Sequence, residues 1–432
     1  MGSELRPIKG VNFKSWSTKK EEIAAGREIE AVLLAEGAEF REKNPAHPPW
    51  LAAREPFSIP AETVRKIERV GRAVFSYFDA LQKLYPDSRR VRRILDIGVA
   101  DDLKGLDPDK KLMTFRFDMI LENEEPQISE VEEVYSSIGF THAIHAAYGM
   151  SSDSLYEAMA GTGVRHILAD EKWADYIPEL SIMQKRLRKQ FGIKTDIGFF
   201  SDPGENFTGP IYRFSYMRSF EKLPPPIRKR LIAGDLEYIN PLFHGFSAKA
   251  AFALLFDDGL KTRLENEMGP DDYDILKKAS PPCRLIRSDG SSDTFERLMT
   301  KRRGRVIKVV HSPNPDDEWG ARGVFFGKTN KNKWTRIVTQ VLNGRTPHRP
   351  EVDHVTFMET RFVESDRYDI PFFDPVNDRI SLMTNARILL RPIFFRRGDD
   401  DGRLVSATAT FVNTSKKVHW GRHAVLAPLK LS

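Results

Sequence analysis

An α+β fold of two or three lobes is what this sequence predicts, on three observations. Helical periodicity runs through the first 93 residues. Strand and helix patterns alternate between 151 and 222. The last 77 residues, 356–432, are rich in strand-like alternation. At 432 residues the chain is also longer than one ordinary core serves.

The elements follow in order. In the N-terminal helical segment, 1–93, Ile23, Ile29, Val32, Leu33 and Phe40 predict an amphipathic helix over 19–43, ended by Pro45, Pro48 and Pro49. A second helix after Pro60 carries Val64, Ile67, Val70, Val74 and Phe78 on one stripe. In 94–150, ILDIGVA opens an alternating region, and MTFRFDMIL and PQISEVEEV read as strands. The short loop Glu122–Pro126 between them predicts an antiparallel hairpin. Residues 151–222 read as helix Ser154–Gly161, strand Val164–Asp170, helix Ile182–Phe191 and strand KTDIGFF, a parallel α/β unit. Leu223–Arg230, with three consecutive prolines, reads as a hinge or linker. A further lobe spans 240–355, with the strand RVIKVVH, an irregular loop, the strand VFFG and a helix over Trp334–Leu342. Segment 356–432 supplies HVTFMETRFV, ARILLRPIFF, LVSATATFV and HAVLAPL.

Composition narrows the function. No run of about 18 apolar residues predicts a membrane span, and MGSELRPIKG lacks the apolar core of a secretory leader. One cysteine, Cys283, fits a reducing, cytoplasmic setting. The net charge of +6 is spread among 61 acids, and the densest basic runs, RRVRR and KRRGR, are short. This argues against a nucleic-acid surface. An anionic small ligand would still reward a basic cleft.

Several residues carry chemistry. Arg116 and Asp118 lie two apart in FRFDMIL, as do Glu130 and Glu132 in ISEVEEV, so each pair shares a strand face. Three carboxylates on neighbouring strands form a hard-oxygen set of the kind Mg²⁺ takes together with phosphate oxygens. A solvent-exposed face with an Arg–Asp pair reads equally well from this stretch alone. Lys249 precedes an apolar helix. Lys308 sits in RVIKVV before the loop SPNPDDEWGARG, whose Gly320, Arg322 and Gly323 would let backbone amides cover a polyphosphate. HVTFMET would offer hinge backbone to an adenine near Phe357–Glu359. His142 and His145 stand three apart but without further ligands. FTGPIYRFSYMRSF, 207–220, reads as the inner wall of a substrate cleft or as core. KKVHWGRH, 416–423, reads as an acceptor-pocket lining or a surface turn.

Taken together these stretches resemble the circularly permuted ATP-grasp proteins, including the glutathionylspermidine synthetase-like group. The likeness is carried by FRFDMILENEEPQISEVEEVYSSIGFT, DYIPEL, AKAAFALL, VIKVVHSPNPDDEWGARGVFFG, FMETRF, ARILLRPIFF and KKVHWGRHAVLAP, in that order, over residues 94–432. The resemblance implies a permuted ATP-grasp fold with an inserted pre-ATP-grasp-like α/β unit at 151–222. It implies a lid lobe at 240–355 and body segments at 94–150 and 356–432. It further implies an ADP-forming ligase using ATP and Mg²⁺ to join a small-molecule carboxylate to an amine through an acyl phosphate. By the same likeness Asp118, Glu130 and Glu132 would hold Mg²⁺, and Arg116 would contact phosphate. Lys249, Lys308 and the loop with Gly320, Arg322 and Gly323 would hold the ATP phosphates. Met358 and Glu359 would lie near adenine or ribose, and Arg387 and Arg391 near a substrate carboxylate or the γ-phosphate. The sequence departs from the family at EVYSS, 133–137, where a Gly-rich turn is expected, and at Glu132, where Asn or Asp is more usual. A phosphotransferase, or a non-catalytic nucleotide- or nucleic-acid-binding protein, is the alternative. A homodimer is the base-rate expectation.

Overall fold

The computed structural model describes residues 14–39, 50–133, 137–202, 207–288, 292–318, 322–398, 400–414, 417–418 and 423–431. Three sheets organise them. The largest has nine strands, with a main path that runs Leu51–Ala52, Val425–Lys430, Arg403–Val412, Arg379–Phe395, Thr114–Glu122, Glu125–Glu132. The 17-residue strand Arg379–Phe395 is its axis. It pairs antiparallel with Arg403–Val412 on one side and Thr114–Glu122 on the other.

One face of this sheet is closed by the 24-residue helix Ala61–Leu84, on which the expected stripe Val64, Ile67, Val70, Val74 and Phe78 is buried. The approach is close: a Cβ at Gly71 would lie 2.1 Å from the Phe394 ring, so only glycine fits there. Phe75, Phe115 and Phe394 pack beneath it, with ring centroids 4.7 and 5.3 Å from Phe115. The N-terminal helix spans Lys20–Ala35, shorter than the expected 19–43. Residues 40–43 of that expectation lie outside the described set.

Part of the opposite face is covered by the α/β unit. Its four short strands are all parallel, in the order Asp196–Phe199, His166–Ala169, Ile211–Phe214, Tyr238–Ile239. Ile167, Leu180 and Tyr212 of this unit share a core with Ile393 and Phe395 of the long strand.

The third sheet is small and antiparallel: Cys283–Ile286, Thr356–Arg361, Arg305–His311, Val324–Phe326. Helices Ser292–Met299 and Lys331–Leu342 bury Leu298, Trp334, Val338 and Val341 against Ile307, Phe325 and Phe357.

Three expectations change. The boundary at 355/356 cuts through the small sheet, because Thr356–Arg361 is one of its inner strands. Helices Lys261–Met268 and Pro270–Ala279, expected in the lid lobe, bury Leu264, Tyr273 and Leu276 in the large core with the helix Ala61–Leu84. The proline run is no linker. It starts the helix Pro225–Ile232, where prolines in the first turn lack only an N–H that has no helical partner anyway.

Candidate active site

A cleft of about 580 Å³ opens between the hairpin, the long strand, the small sheet and the turn Phe243–Ala250. The hairpin pairs Arg116 with Glu132 and Asp118 with Glu130, then steps to Met119 with Ile128. This is a bulge at Ser129. It keeps Ile128 in the core beside Met119 while Glu130 shares the cleft face with Asp118. It also turns out the Ser129 carbonyl, which accepts a 2.7 Å hydrogen bond from Lys308 Nζ across the cleft.

The charges interlock. Arg116 is 4% exposed; its Nη2 donates to Asp118 Oδ1 at 3.1 Å and to Glu132 Oε2 at 2.6 Å. Arg391 Nε donates to the same Asp118 oxygen at 3.1 Å. Burial alone would raise the Asp118 pKa, but Arg391 and Arg116 outweigh it and hold the group below its ordinary value. Glu132 is pushed up to about 7 by burial, with the Asp118 and Glu130 charges adding and Arg116 and Arg391 opposing. Lys249 donates to the Glu318 carbonyl at 2.9 Å and stands 3.8 Å from Glu130. Burial lowers Lys308 against the pull of Glu130. Lys417 is pushed down to about 8 by burial, opposed by Glu130 and helped by Lys308 and Lys249. Among the described residues, seven Lys and Arg side chains line the cleft against four Asp and Glu. Such a surplus, partly desolvated, favours a polyanionic ligand.

Of the residues expected at the site, Arg116, Asp118, Glu130, Glu132, Lys249, Lys308, Gly323, Met358, Arg387 and Arg391 all line this cleft. Glu359 does not. Side chains alternate along a strand, and Met358 takes the cleft side with its partner Lys308. Glu359 faces the other way, buried under Arg284, Arg297 at 2.9 Å and Arg305 at 3.0 Å. Arg322 also lies outside the cleft lining, its side chain 57% exposed and 3.9 Å from Asp316. Gly320 lies outside the described residues.

The metal expectation narrows. Among the described residues no three His, Cys, Asp or Glu side chains converge to cage an ion. Asp118 and Glu132 are already bridged by Arg116. The donor set still suits Mg²⁺ arriving with phosphate, which needs only one or two carboxylates. Such an ion would relieve the Asp118 and Glu130 repulsion that adds to burial in raising Glu132.

Within the departure at 133–137, residues 134–136 lie outside the described set. Glu133 is buried and bonded to Arg213 Nη2 at 2.5 Å and to the Ser247 hydroxyl. It ties the end of the hairpin to the α/β unit and to the turn that delivers Lys249. His142 bonds the Ser152 hydroxyl at 2.7 Å, and His145 the Ser151 and Ala407 carbonyls, both at 3.1 Å. They form no metal pair. Cys283 is buried, its thiol pushed up to about 12 by burial, which makes it inert.

Two parts of the site were open in the sequence. Of the stretch KKVHWGRH, Lys417 and Val418 line the cleft. The far wall comes from Trp173 and Tyr176 as well as Phe214–Met217; Tyr176 lies in DYIPEL, which entered only through the resemblance, and nothing signalled Trp173. No helix among the described residues is long and apolar enough to cross a membrane.

Compared with known proteins, the sequence matches no family model and no curated protein. Its structure is similar to that of a glutathione synthetase-like effector from Globodera pallida in apo form. The TM-score is 0.54 over 96% of this chain and 98% of that one, at 11% identity. A candidate gamma-glutamylcysteine synthetase from Methylobacillus flagellatus overlaps at a TM-score of 0.38, with 83% and 88% covered and 11% identity. The first likeness shows a glutathione synthetase-like fold. The second overlap is too low to add to that.

Proposed function

We propose that the protein is an ATP-dependent ligase that joins a small-molecule carboxylate to an amine. The observation that carries this is the set Lys249, Lys308 and Lys417 gathered around Glu130, with Arg116 and Arg391 flanking Asp118 beside it. The lysines neutralise a polyphosphate, and the guanidiniums address a carboxylate or a transferring phosphoryl group. The fold likeness and the resemblance to permuted ATP-grasp proteins support the same reading. Asp118, Glu130 and Glu132 would hold Mg²⁺ through one or two carboxylates, and the ion would supply charge neutralisation on the phosphates.

In the reaction, a substrate carboxylate oxygen takes the γ-phosphoryl group, releasing ADP. The amine, bound as an ammonium, first gives a proton to water; its lone pair then attacks the acyl carbon, phosphate leaves with the C–O bonding pair, and the nitrogen gives up a second proton. No protein nucleophile is needed. What the chain supplies is position, positive charge and a site partly screened from water.

The test is ADP release across panels of carboxylates and amines. Release that needs both partners is expected, and Asp118→Asn should abolish it in a protein that still folds but melts lower, because Arg116 and Arg391 lose their shared anion. Release with a carboxylate or alcohol alone, leaving phosphate on the product, would make the protein a phosphotransferase. Full activity in Asp118→Asn would remove that residue from the chemistry.

A further inference from the structure

The α/β unit closes the cleft on the side away from the lysines, and it does so with the edge where open parallel sheets bind ligands. Strands His166–Ala169 and Ile211–Phe214 are parallel neighbours. The chain leaves the first toward Asp196–Phe199 on one flank, and the second toward Tyr238–Ile239 on the other. Their carboxyl ends therefore flank a topological switch point, the usual place for a ligand in such sheets. The segments that follow those two ends deliver Trp173 and Tyr176, and Ser215 and Tyr216, to the cleft.

The chemistry of this wall is distinct. Trp173 stands edge-on to both tyrosines, with centroids 5.9 Å from Tyr176 and 6.5 Å from Tyr216 and planes at 69° in each case. Ser215 is 2% exposed and borders the cleft, and its Oγ has no hydrogen-bond partner. A buried hydroxyl without a partner is costly unless a ligand completes it. Among the described residues Trp173–Met217 contribute no lysine or arginine to the lining, whereas the rest of the cleft is cationic. The Lys172 ammonium, ion-paired with Asp170 at 3.4 Å, lies 5.1 Å from the Trp173 ring centroid, so this indole does sit against a cation.

We infer that Trp173, Tyr176, Tyr216 and Ser215 form the subsite for the cationic amine substrate, with the ammonium held against the aromatic rings and one N–H donated to Ser215 Oγ. This rests on the ligase reading. Tyr176 and Tyr216 meet Arg116 at the edge of the wall; phosphates and carboxylate go to the lysines and arginines, and the aromatic wall takes the one cationic reactant. Rings that surround a cation act through their quadrupoles.

The experiment compares binding of benzylamine and benzyl alcohol, which share a ring and differ in charge, by calorimetry to the wild-type full chain, Trp173→Leu and Ser215→Ala. Mg-ATP thermal shifts are recorded in parallel. Benzylamine should bind about three- to thirty-fold tighter than the alcohol. The preference should vanish in Trp173→Leu, and affinity should fall roughly two- to tenfold in Ser215→Ala. Trp173→Leu should lower the melting temperature, because Trp173 packs against the core of the α/β unit, Ser215→Ala should not lower it, and both should keep the Mg-ATP shift. Equal binding of the two probes, or no benzylamine binding at millimolar concentration, overturns the amine subsite even where Mg-ATP binds. Charge-selective binding without any Mg-ATP shift supports the ammonium site and removes the ligase reading instead.

Discussion

Lys417 reaches the cleft from a basic stretch, KKVHWGRH, that has neither helical nor strand periodicity. It lies within electrostatic reach of Glu130, nearly 290 residues earlier in the chain, and a run of cations without period is equally compatible with a surface turn. Arg116, Asp118, Glu130 and Glu132 were legible because each pair is two apart on a strand and both strands belong to one hairpin. Lys417 carries a pH signature. Burial holds it near 8, so it is charged at neutral pH and loses its proton just above. Nucleotide affinity should therefore fall as pH rises from 7 to 9. The effect on folding has the opposite sign: the unfolded lysine binds its proton more tightly, so this group's cost to stability fades as pH rises from 8 toward its ordinary value. Lys417→Met should weaken Mg-ATP binding roughly tenfold at pH 7 and flatten that pH dependence. Titration calorimetry at pH 6.5, 7.5 and 8.5 checks this, and a wild-type affinity that is flat over the range would remove Lys417 from the phosphate site.

Among the elements, the strand Thr356–Arg361 shows both what the pattern offers and where it was misread. Period-2 alternation forbids Met358 and Glu359 from facing the same way, and the apolar Ile307, Val309 and Phe357 mark which face packs under the helices. Glu359 follows that face, and there Arg284, Arg297 and Arg305 hold it. The role expected for it beside the nucleotide becomes a structural one. Glu359→Gln would leave three guanidiniums without their shared anion. We expect a loss of roughly 2–3 kcal/mol, read as a lower midpoint in urea, with Mg-ATP affinity unchanged in the folded protein. Unchanged stability with weakened ATP binding would restore the nucleotide contact. The helix Pro225–Ile232 is a second case: three prolines read as a breaker, yet prolines lose nothing in a first turn. The bulge at Ser129 left no mark in the sequence, because nothing about a serine between Ile128 and Glu130 announces an extra residue.

Across the whole molecule, the three strand-and-helix regions were visible from local pattern, but their boundaries were not. Helices Lys261–Met268 and Pro270–Ala279 pack on Ala61–Leu84, some 190 residues away in the chain, and Thr356–Arg361 crosses back into the small sheet. Such assignments depend on tertiary contacts that no window of sequence contains. The cleft forms only because the three sheets meet, so occupancy of the cleft should stabilise the molecule as a whole. The deciding measurement is the thermal stability of the wild type and of Lys308→Ala, with and without Mg-ATP. A ligand at 100 times its Kd adds about 2.7 kcal/mol to the native state. The wild type should gain several degrees with Mg-ATP, less with ATP alone, and Lys308→Ala should gain little with either. No shift with any nucleotide in the wild type, or an undiminished shift in Lys308→Ala, would contradict a nucleotide held between the hairpin and the small sheet.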